Sequence, residues 1–485
     1  MKKIILLLFF ITSISNCEAQ AIWNNTSFVH RNNQQIFNGQ NNAITLDGVN
    51  LGSWLLWEGL MWSGGTLSEK DITTKMETII GPAAVNAFRD SVYKNYITRA
   101  DLKRISEQCF NVVRIPFNHT ILEDDSNPLV YKASGWKILD SALKWCEDYN
   151  VYAVLDLHSA PGGQSTLFTA DPDSVNLWQS TSNKNRTIQL WKAIANRYQN
   201  RGIIAAYDLL NEPNIWWWPD LVNLYDSITT NIRTVDNNHM IMLEGNNYAT
   251  DFTPFSSLPD PNVCFQFHYY TLFGIPVMNN LVSVGNTLNA PVWCGEWGEA
   301  NIAGLQNQLD TIRKPVYNVS GTAFWTWKTS PNPFSNPHYL YATNHPDWNN
   351  TMLWATYGSP IVTAAQMQSG IDNFIINMKL QNCTTDTAVA NLLYLCAPTG
   401  IQDTEEISNI TISPNPFSSQ TIITFGEEQR NTSIKIVDIL GEEIKTINFT
   451  GRQLVIEKAE MNAGIYFVQT TDEKKHICNK KIIIQ

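Results

Sequence analysis

The segment IIAAYDLLNEPN, Ile203 to Asn214, joins an apolar run, a polar tip and a proline within twelve residues. The run Ile203 to Leu210 is short and almost wholly apolar, as expected of a strand buried on both faces rather than half exposed. Pro213 cannot donate to a ladder and disfavours helix at the residue before it, so the strand must stop and the chain must turn there. Asn211 and Glu212 are thereby left at the carboxyl end of a buried strand, where parallel α/β architectures place ligands and catalytic groups. Side chains alternate along a strand, so Asn211 and Glu212 can share a site only if the strand has already ended or a bulge re-aims one of them.

Seven further strand-length apolar runs accompany it: Ile44 to Asn50, Asn111 to Phe117, Val151 to His158, Met240 to Gly245, Val263 to Tyr270, Val292 to Glu296 and Thr322 to Lys328. Helical periodicity fills the gaps at Thr98 to Cys109, Gly135 to Tyr149, Thr187 to Tyr198, Leu221 to Val235 and Leu305 to Ile312, and Ile361 to Leu380 reads as a closing helix. Eight alternating units predict an α/β fold, a (β/α)8 TIM barrel with loop insertions. Ile203 to Leu210 is then its fourth strand.

Function is expected at the carboxyl ends of the strands. Those ends carry Asn50 to Glu58, Arg114, Asp156-Leu157-His158, Asn211-Glu212, His268-Tyr269-Tyr270, Glu296 and the pair Trp325 and Trp327, which alternation places on one face. Trp216, Trp217 and Trp218 follow Glu212, and an aromatic loop is expected from Pro331 to Gly358, long enough to be functional. Past Thr399 tryptophan disappears and short alternating runs at Thr421 to Phe425, Ser433 to Val437, Gln453 to Ile456, Ile465 to Gln469 and Lys480 to Ile484 predict a small all-β, sandwich-like domain, with a hairpin turn at Asp438 to Gly441. The expected division is a signal peptide at 1–19, the barrel at 20–398, a linker at 399–407 and the β domain at 408–485.

With 485 residues, 44% hydrophobic and 16% charged, the chain can bury a large core in more than one domain. A net charge of −11 argues against nucleic acid or an anionic membrane as partner. Seventeen tryptophans and seventeen tyrosines, many at strand ends, suit stacking on carbohydrate. Lys2 and Lys3, the apolar run Ile4 to Ile11 and the small or polar residues to Ala19 form a secretory signal; Cys17 follows Ile14-Ser15-Asn16, a poor match to a lipobox. No later stretch has membrane-helix length. The cysteines lack metal-type spacing; an exported chain suits one disulfide, expected between Cys383 and Cys396, with the others read as small buried hydrophobes. The chain reads as a monomer.

The chemistry these ends suit is glycosidic cleavage. Glutamates on the fourth and seventh strands face one barrel mouth, and retaining hydrolysis uses two carboxyls about 5 to 5.5 Å apart, one as acid and one as nucleophile. Arg114, His268 and Tyr270 can hold one as a carboxylate, while burial beside tryptophan keeps the other protonated. Asn211 is placed for a sugar 2-hydroxyl. Asp156 and Asp208 read as buried supporting acids rather than catalysts. No phosphate loop or metal-ligand cluster stands out, and this reaction needs no cofactor or metal.

The ordered strings GVNLGSW at 48–54, VVRIP at 112–116, DLHSAPGGQ at 156–164, LLNEP at 209–213, HYY at 268–270, CGEWG at 294–298 and FWTWK at 324–328 resemble glycoside hydrolase family 5, a (β/α)8 family of retaining β-glycosidases. The resemblance implies Glu212 as acid/base and Glu296 as nucleophile, with Glu58, Arg114, His158, Asn211, His268, Tyr270 and Trp325 lining the sugar site. Within the family the NLGSW, CGEW and FWTWK strings look closest to the exo-β-1,3-glucanase branch, which leaves β-1,3 and β-1,4 glucan both open. SPNPF at 413–417, VDILG at 437–441, NAGIYFV at 462–468 and the basic Lys480-Lys481 resemble the type A sorting domain of the type IX secretion system, implying secretion machinery as a partner and a secreted or cell-surface location. A non-catalytic carbohydrate-binding, adhesin-like protein on the same scaffold, or a hydrolase of mannan or glucosylceramide-type glycosides, would share many of these features.

Overall fold

Eight parallel strands close into a barrel in which each pairs with its neighbours in sequence: β1 (Gly48–Asn50), β2 (Val112–Asn118), β3 (Tyr152–Ser159), β4 (Ile204–Asp208), β5 (Met240–Glu244), β6 (Val263–Tyr270), β7 (Val292–Gly298) and β8 (Val319–Phe324). The computed structural model describes residues 23, 26–271, 276–330, 338–395, 410–438, 443–459, 461–471 and 477–485. The chain divides into two compact units, 1–394 and 395–485. Every residue of β2, β3, β4 and β5 is buried, which accounts for their near-continuous apolar runs.

The expected first strand is two elements. Ala43–Ile44 joins His30–Asn32 and Gln35–Phe37 in a separate three-stranded sheet, and only Gly48–Asn50 enters the barrel. Between them the Leu46 amide donates to Ser320 O at 2.9 Å and the Asp47 amide to Asn111 Oδ1 at 2.9 Å, turning the chain into the barrel. At Gly48 a Cβ would stand 1.7 Å from Val112 O, so β1 can lie beside β2 only with glycine there.

Strand β4 ends at Asp208, two residues before Leu210, and Glu212 has φ +44°. The strand has therefore ended before the Asn211-Glu212 pair, and a left-handed residue rather than a bulge re-aims the carboxylate.

The outer layer includes α-helices at Arg99–Glu107, Ala133–Tyr149, Thr181–Tyr198, Pro219–Arg233 and Ile302–Ile312, with Ala364–Asn377 near the expected closing position. Glu69–Ile80 and Pro82–Asn95 were not expected; the first opens on a capping box between Ser68 and Asp71 and the second on a proline at its first turn. The Pro331 to Gly358 expectation is corrected. Residues 331–337 lie outside the described residues, but Pro346–Tyr357 is a helix capped by His345, and Trp348 is fully buried with its ring 4.0 Å from that of Phe374. Tyr339 stacks on Trp327 at 4.6 Å. These aromatics complete a core instead of lining a loop.

The disulfide expectation is also corrected. Cys383 is a free cysteine whose thiol faces the Asn377 and Met378 carbonyls, at 3.6 and 3.7 Å, while Cys109, read as a buried thiol, is disulfide-bonded. Cys396, like the 1–19 segment, lies outside the described residues.

The second unit is a five-stranded antiparallel sheet of Ile410–Ser413, Gln420–Val437, Glu443–Glu457, Gly464–Thr471 and Ile477–Ile484. The long strand Gln420–Val437 runs through both halves of the sheet. Its register with Glu443–Glu457 shifts between Thr424 and Thr432, and on either side of that irregularity it sends Ile423 and Phe425, then Ile434 and Ile436, into one core with Ile456, Val468 and Ile482. The expected turn at 438–441 falls almost wholly outside the described residues. Among the described residues no helix is long and apolar enough to cross a membrane.

Candidate active site

Arg114 on β2 is the hub of the barrel mouth. Fully buried, it donates through Nη1 to Glu296 Oε1 at 2.6 Å and to Asn50 Oδ1 at 3.2 Å. Its Nη2 donates to Asn211 Oδ1 at 2.8 Å and Glu244 Oε1 at 2.9 Å, and Nε to Asp208 Oδ2 at 2.8 Å. Asp156 Oδ2 lies 3.0 Å from Nη2. A buried guanidinium demands this many acceptors, because its charge is costly to bury without paired carboxylates. Asp156, Asp208 and Glu244 offer oxygens within 4.8 Å of one another, a spacing that could hold a cation, and the guanidinium supplies the positive charge they share.

Glu296 on β7 also accepts from Tyr270 Oη at 2.9 Å, and His268 Nδ1 stands 3.6 Å from its Oε2. Glu212, in the loop after β4, is the more open of the two, with 13% of its side chain exposed against 6%. Its carboxylate meets His268 Nδ1 at 2.9 Å, and its amide donates to Glu244 Oε2 at 2.6 Å. One ligand atom each from Glu212, His268 and Glu296 lies within 4.8 Å of the others.

The surroundings set the charges. Burial works against a charged His268, but Glu244 and then Glu296 outweigh it and raise its pKa well above the usual value. Burial likewise opposes a charged His158, yet Asp156, whose Oδ2 is 2.7 Å from Nδ1, pushes it up to about 10. Burial would raise Glu244, but the His268 charge and Arg114 bring it below the ordinary carboxylate value. Burial and then the Glu244 charge raise Asp208 well above its usual value, more than Arg114 lowers it.

Glu58, His158 and Trp325 form a second cluster at the barrel mouth. The His158 ring stacks on Trp325 at 5.5 Å and 13°, and its Nε2 is 3.5 Å from Glu58 Oε1. Burial raises Glu58, an effect His158 partly offsets. Asn211 Nδ2 is buried without a hydrogen-bond partner, a donor that a polar ligand could satisfy.

All nine sequence-predicted positions, Glu58, Arg114, His158, Asn211, Glu212, His268, Tyr270, Glu296 and Trp325, thus gather at one end of the barrel. The Trp325 and Trp327 pairing is corrected: β8 ends at Phe324, so alternation no longer governs, and Trp327 turns away, fully buried, to donate from Nε1 to Asp101 Oδ1 at 3.0 Å. Asn50, Glu244 and Gln266 were missed as site residues. Asn50 Nδ2 donates to Gly295 O at 2.9 Å and Ala323 O at 3.1 Å, tying β1 to β7 and β8. Gln266 Nε2 donates to Glu244 Oε1 at 2.6 Å and Asp208 Oδ2 at 2.9 Å. Glu244 was detectable, since it ends the run Met240 to Glu244 as an acid closes the run before Pro213.

Residues 73–331 match the family described as cellulase (glycosyl hydrolase family 5), and residues 411–485 match the secretion system C-terminal sorting domain. The chain belongs to glycosyl hydrolase family 5 and carries a C-terminal sorting domain. It is 33% identical over 246 residues to a beta-xylosidase of Phanerodontia chrysosporium, covering 50% of this chain and 52% of that protein. It is 31% identical over 191 residues to endoglucanase C of Acetivibrio thermocellus, covering 38% and 54%. The chain thus spans about half the length of these curated relatives. The crystal structure of endogalactoceramidase superposes with a TM-score of 0.50 at 16% identity over 89% of this chain and 97% of that one, a likeness of fold.

Proposed function

We propose that the barrel hydrolyses β-1,3 or β-1,4 glucosidic bonds of β-glucan with retention of anomeric configuration, Glu296 acting as nucleophile and Glu212 as acid/base. The observation that carries this reading is the spacing of the two glutamates, oxygens within 4.8 Å, in unlike surroundings. Inverting enzymes hold their carboxyls roughly 6.5 to 9.5 Å apart to admit a water between them. Two donors, Arg114 Nη1 and Tyr270 Oη, aim at Glu296, which suits a carboxylate that attacks the anomeric carbon. Glu212 is more open and faces the same space from β4, which suits proton delivery to the leaving oxygen.

In the first step Glu212 protonates the glycosidic oxygen as Glu296 bonds to the anomeric carbon, releasing the aglycone. In the second, Glu212 takes a proton from water as the water displaces Glu296. Asn211 Nδ2 meets the 2-hydroxyl, Trp325 stacks on the sugar face, and Glu58 with His158 binds further hydroxyls. Arg114, His268 and Tyr270 position the two glutamates. No cofactor takes part. The glucan assignment rests on the NLGSW, CGEW and FWTWK strings and on the endoglucanase likeness. The signal-like 1–19 segment and the C-terminal sorting domain support export through the type IX route to the surface or medium, with the catalytic domain at 20–398 and the sorting domain at 408–485.

The test is a hydrolysis screen on laminarin, lichenan, carboxymethylcellulose, glucomannan, aryl β-glucosides and aryl β-xylosides, with wild type and Glu296→Ala. The expected result is turnover of a β-glucan by wild type and near-complete loss in the folded variant. Equal turnover in the variant overturns the assignment, and saccharide binding without hydrolysis by wild type supports the carbohydrate-binding alternative.

A further inference from the structure

Three consecutive tryptophans, Trp216, Trp217 and Trp218, stand 98%, 63% and 46% exposed four to six residues after Glu212. Exposing three large aromatics is unfavourable in water, and a run of them beside a cleft marks a binding surface. Four extended residues span at most ~14 Å, so the Trp216 backbone lies within that distance of Glu212.

The segment between them is held rigidly. The Asn214 amide donates to Gln164 O at 3.1 Å, the carbonyl that also accepts from Trp178 Nε1 at 2.8 Å. Ile215 exchanges two hydrogen bonds with the Asn246 side chain, at 2.9 and 3.0 Å, and Pro213 O accepts from the Tyr248 amide at 3.3 Å. Tyr248 sits in a run, Asn247 to Ala249, with φ of +52°, +60° and +58°, a costly backbone for residues other than glycine. Trp218 is anchored at the start of Pro219–Arg233, its carbonyl accepting from the Leu221 amide at 3.0 Å. The segment that leaves the acid/base is thus tied to the loops carrying Gln164 and Asn246 to Tyr248, and Trp216 and Trp217 stand exposed directly after it.

We propose that Trp216 and Trp217 form a stacking platform for the sugar units of the leaving group, on the aglycone side of the cleaved bond. The inference rests on the reading above, in which Glu212 protonates the departing oxygen, so the departing chain must lie over the Glu212 side of the cleft. In that reading Glu58, His158 and Trp325 serve the sugar that bonds to Glu296. The occupant is a neutral saccharide: the indoles are open rather than folded into a concave apolar pocket, and the nearby Asp220 is already paired with Lys184 at 2.8 Å. Flat aromatic faces present to a pyranose the surface on which its axial hydrogens pack.

The test compares Trp216→Ala, Trp217→Ala and the double variant with wild type on two substrates that share a glycone: an aryl β-glucoside with a small leaving group and a β-gluco-oligosaccharide of several units. For the oligosaccharide kcat/KM should fall on the order of tenfold further than for the aryl glucoside, chiefly through KM, as expected for loss of one stacking contact. Equal losses on the two substrates, or no loss on either, overturn the platform. So does a loss on octyl β-glucoside as large as that on the oligosaccharide, which would make the aglycone an apolar tail. Calorimetric titration of laminari- and cello-oligosaccharides into Glu296→Gln, with and without the two tryptophan substitutions, reads the platform without turnover: unchanged binding overturns it. Wild-type turnover of the aryl glucoside reports separately on the catalytic reading.

Discussion

Glutamine in place of Glu244 changes one atom of a side chain that is predicted never to touch the substrate, and it should still depress catalysis. Glu244 Oε2 accepts from the Glu212 amide at 2.6 Å, and Oε1 accepts from Arg114 Nη2 at 2.9 Å and Gln266 Nε2 at 2.6 Å. Both ends of this carboxylate thus face donors only. An amide can satisfy one end, and its NH2 must then point at a donor on the other. Because Arg114 and Gln266 press on one oxygen together, the oxygen of the glutamine should stay there, leaving the NH2 against the Glu212 amide. Losing a hydrogen bond to a charged acceptor costs about 1.5 to 3 kcal/mol. If that interaction is what holds Glu212 at its φ of +44°, kcat/KM falls roughly 10- to 100-fold at about 1.4 kcal/mol per decade. The charge also matters: Glu244 is the leading influence raising His268 against burial, so the pKa of His268 should fall in Glu244→Gln and the alkaline limb of the pH-rate profile move down. The assay is kcat/KM across pH on the best substrate of the screen, with circular dichroism melts to show that the variant is folded. A folded variant with wild-type kcat/KM and an unmoved profile refutes the argument that Glu244 positions the acid/base.

The paired His158 makes stability depend on pH. Its folded pKa of about 10 lies above the ordinary value of about 6.5, so its contribution is complete below about pH 6.5 and is lost as pH rises through about 10. Urea unfolding of the barrel should show stability falling over that window, and the fall should shrink in His158→Gln. Trp348→Ala removes a fully buried ring packed on Phe374 and Trp62 and should cost about 3 to 5 kcal/mol, whereas Tyr357→Ala on the same helix, 75% exposed, should stay within about 0.5 kcal/mol in the same urea titrations. Reduction should lower the melting temperature through the Cys109 disulfide, and Cys383→Ser should leave that drop intact; its disappearance would return Cys383 to the bridge. Ile434→Ala, in the core of the second unit, should cost about 2 to 5 kcal/mol there and expose 410–485 to limited proteolysis while barrel turnover persists.

Much of the barrel can be read from the sequence because a parallel sheet covered on both faces forces each strand into an uninterrupted apolar run, and seven of the eight runs lie close to their strands. The first does not, since Ile44 and Val49 are apolar for different reasons, one in a small separate sheet and the other in the barrel. Beyond the strand ends, period-two reasoning lapses. It mispairs Trp325 with Trp327, and it leaves Asn211 and Glu212 unresolved until a left-handed residue re-aims the carboxylate. Pro82–Asn95, despite Val85, Phe88 and Val92 at helical spacing, and the aromatic-rich Pro346–Tyr357 were not among the expected helices. At the site, residues carried by a motif string were visible, whereas Asn50, Glu244 and Gln266 act by filling the hydrogen-bond needs of Arg114, Glu212 and the neighbouring strands, and that need is visible only once the strands are assembled. The disulfide was misassigned because nearness in sequence favoured Cys383, which is free, over Cys109, which is bonded.

The central claim, that Glu296 bonds to the sugar while Glu212 moves the proton, is tested most directly by trapping the intermediate. An activated 2-deoxy-2-fluoro-β-glucoside, incubated with the full chain and followed by peptide mass spectrometry, should add one fluoroglycosyl group to the peptide containing Glu296, with time-dependent loss of activity. Label on Glu212 or Glu58, or inactivation-free turnover of the same compound with inverted product, would contradict the account.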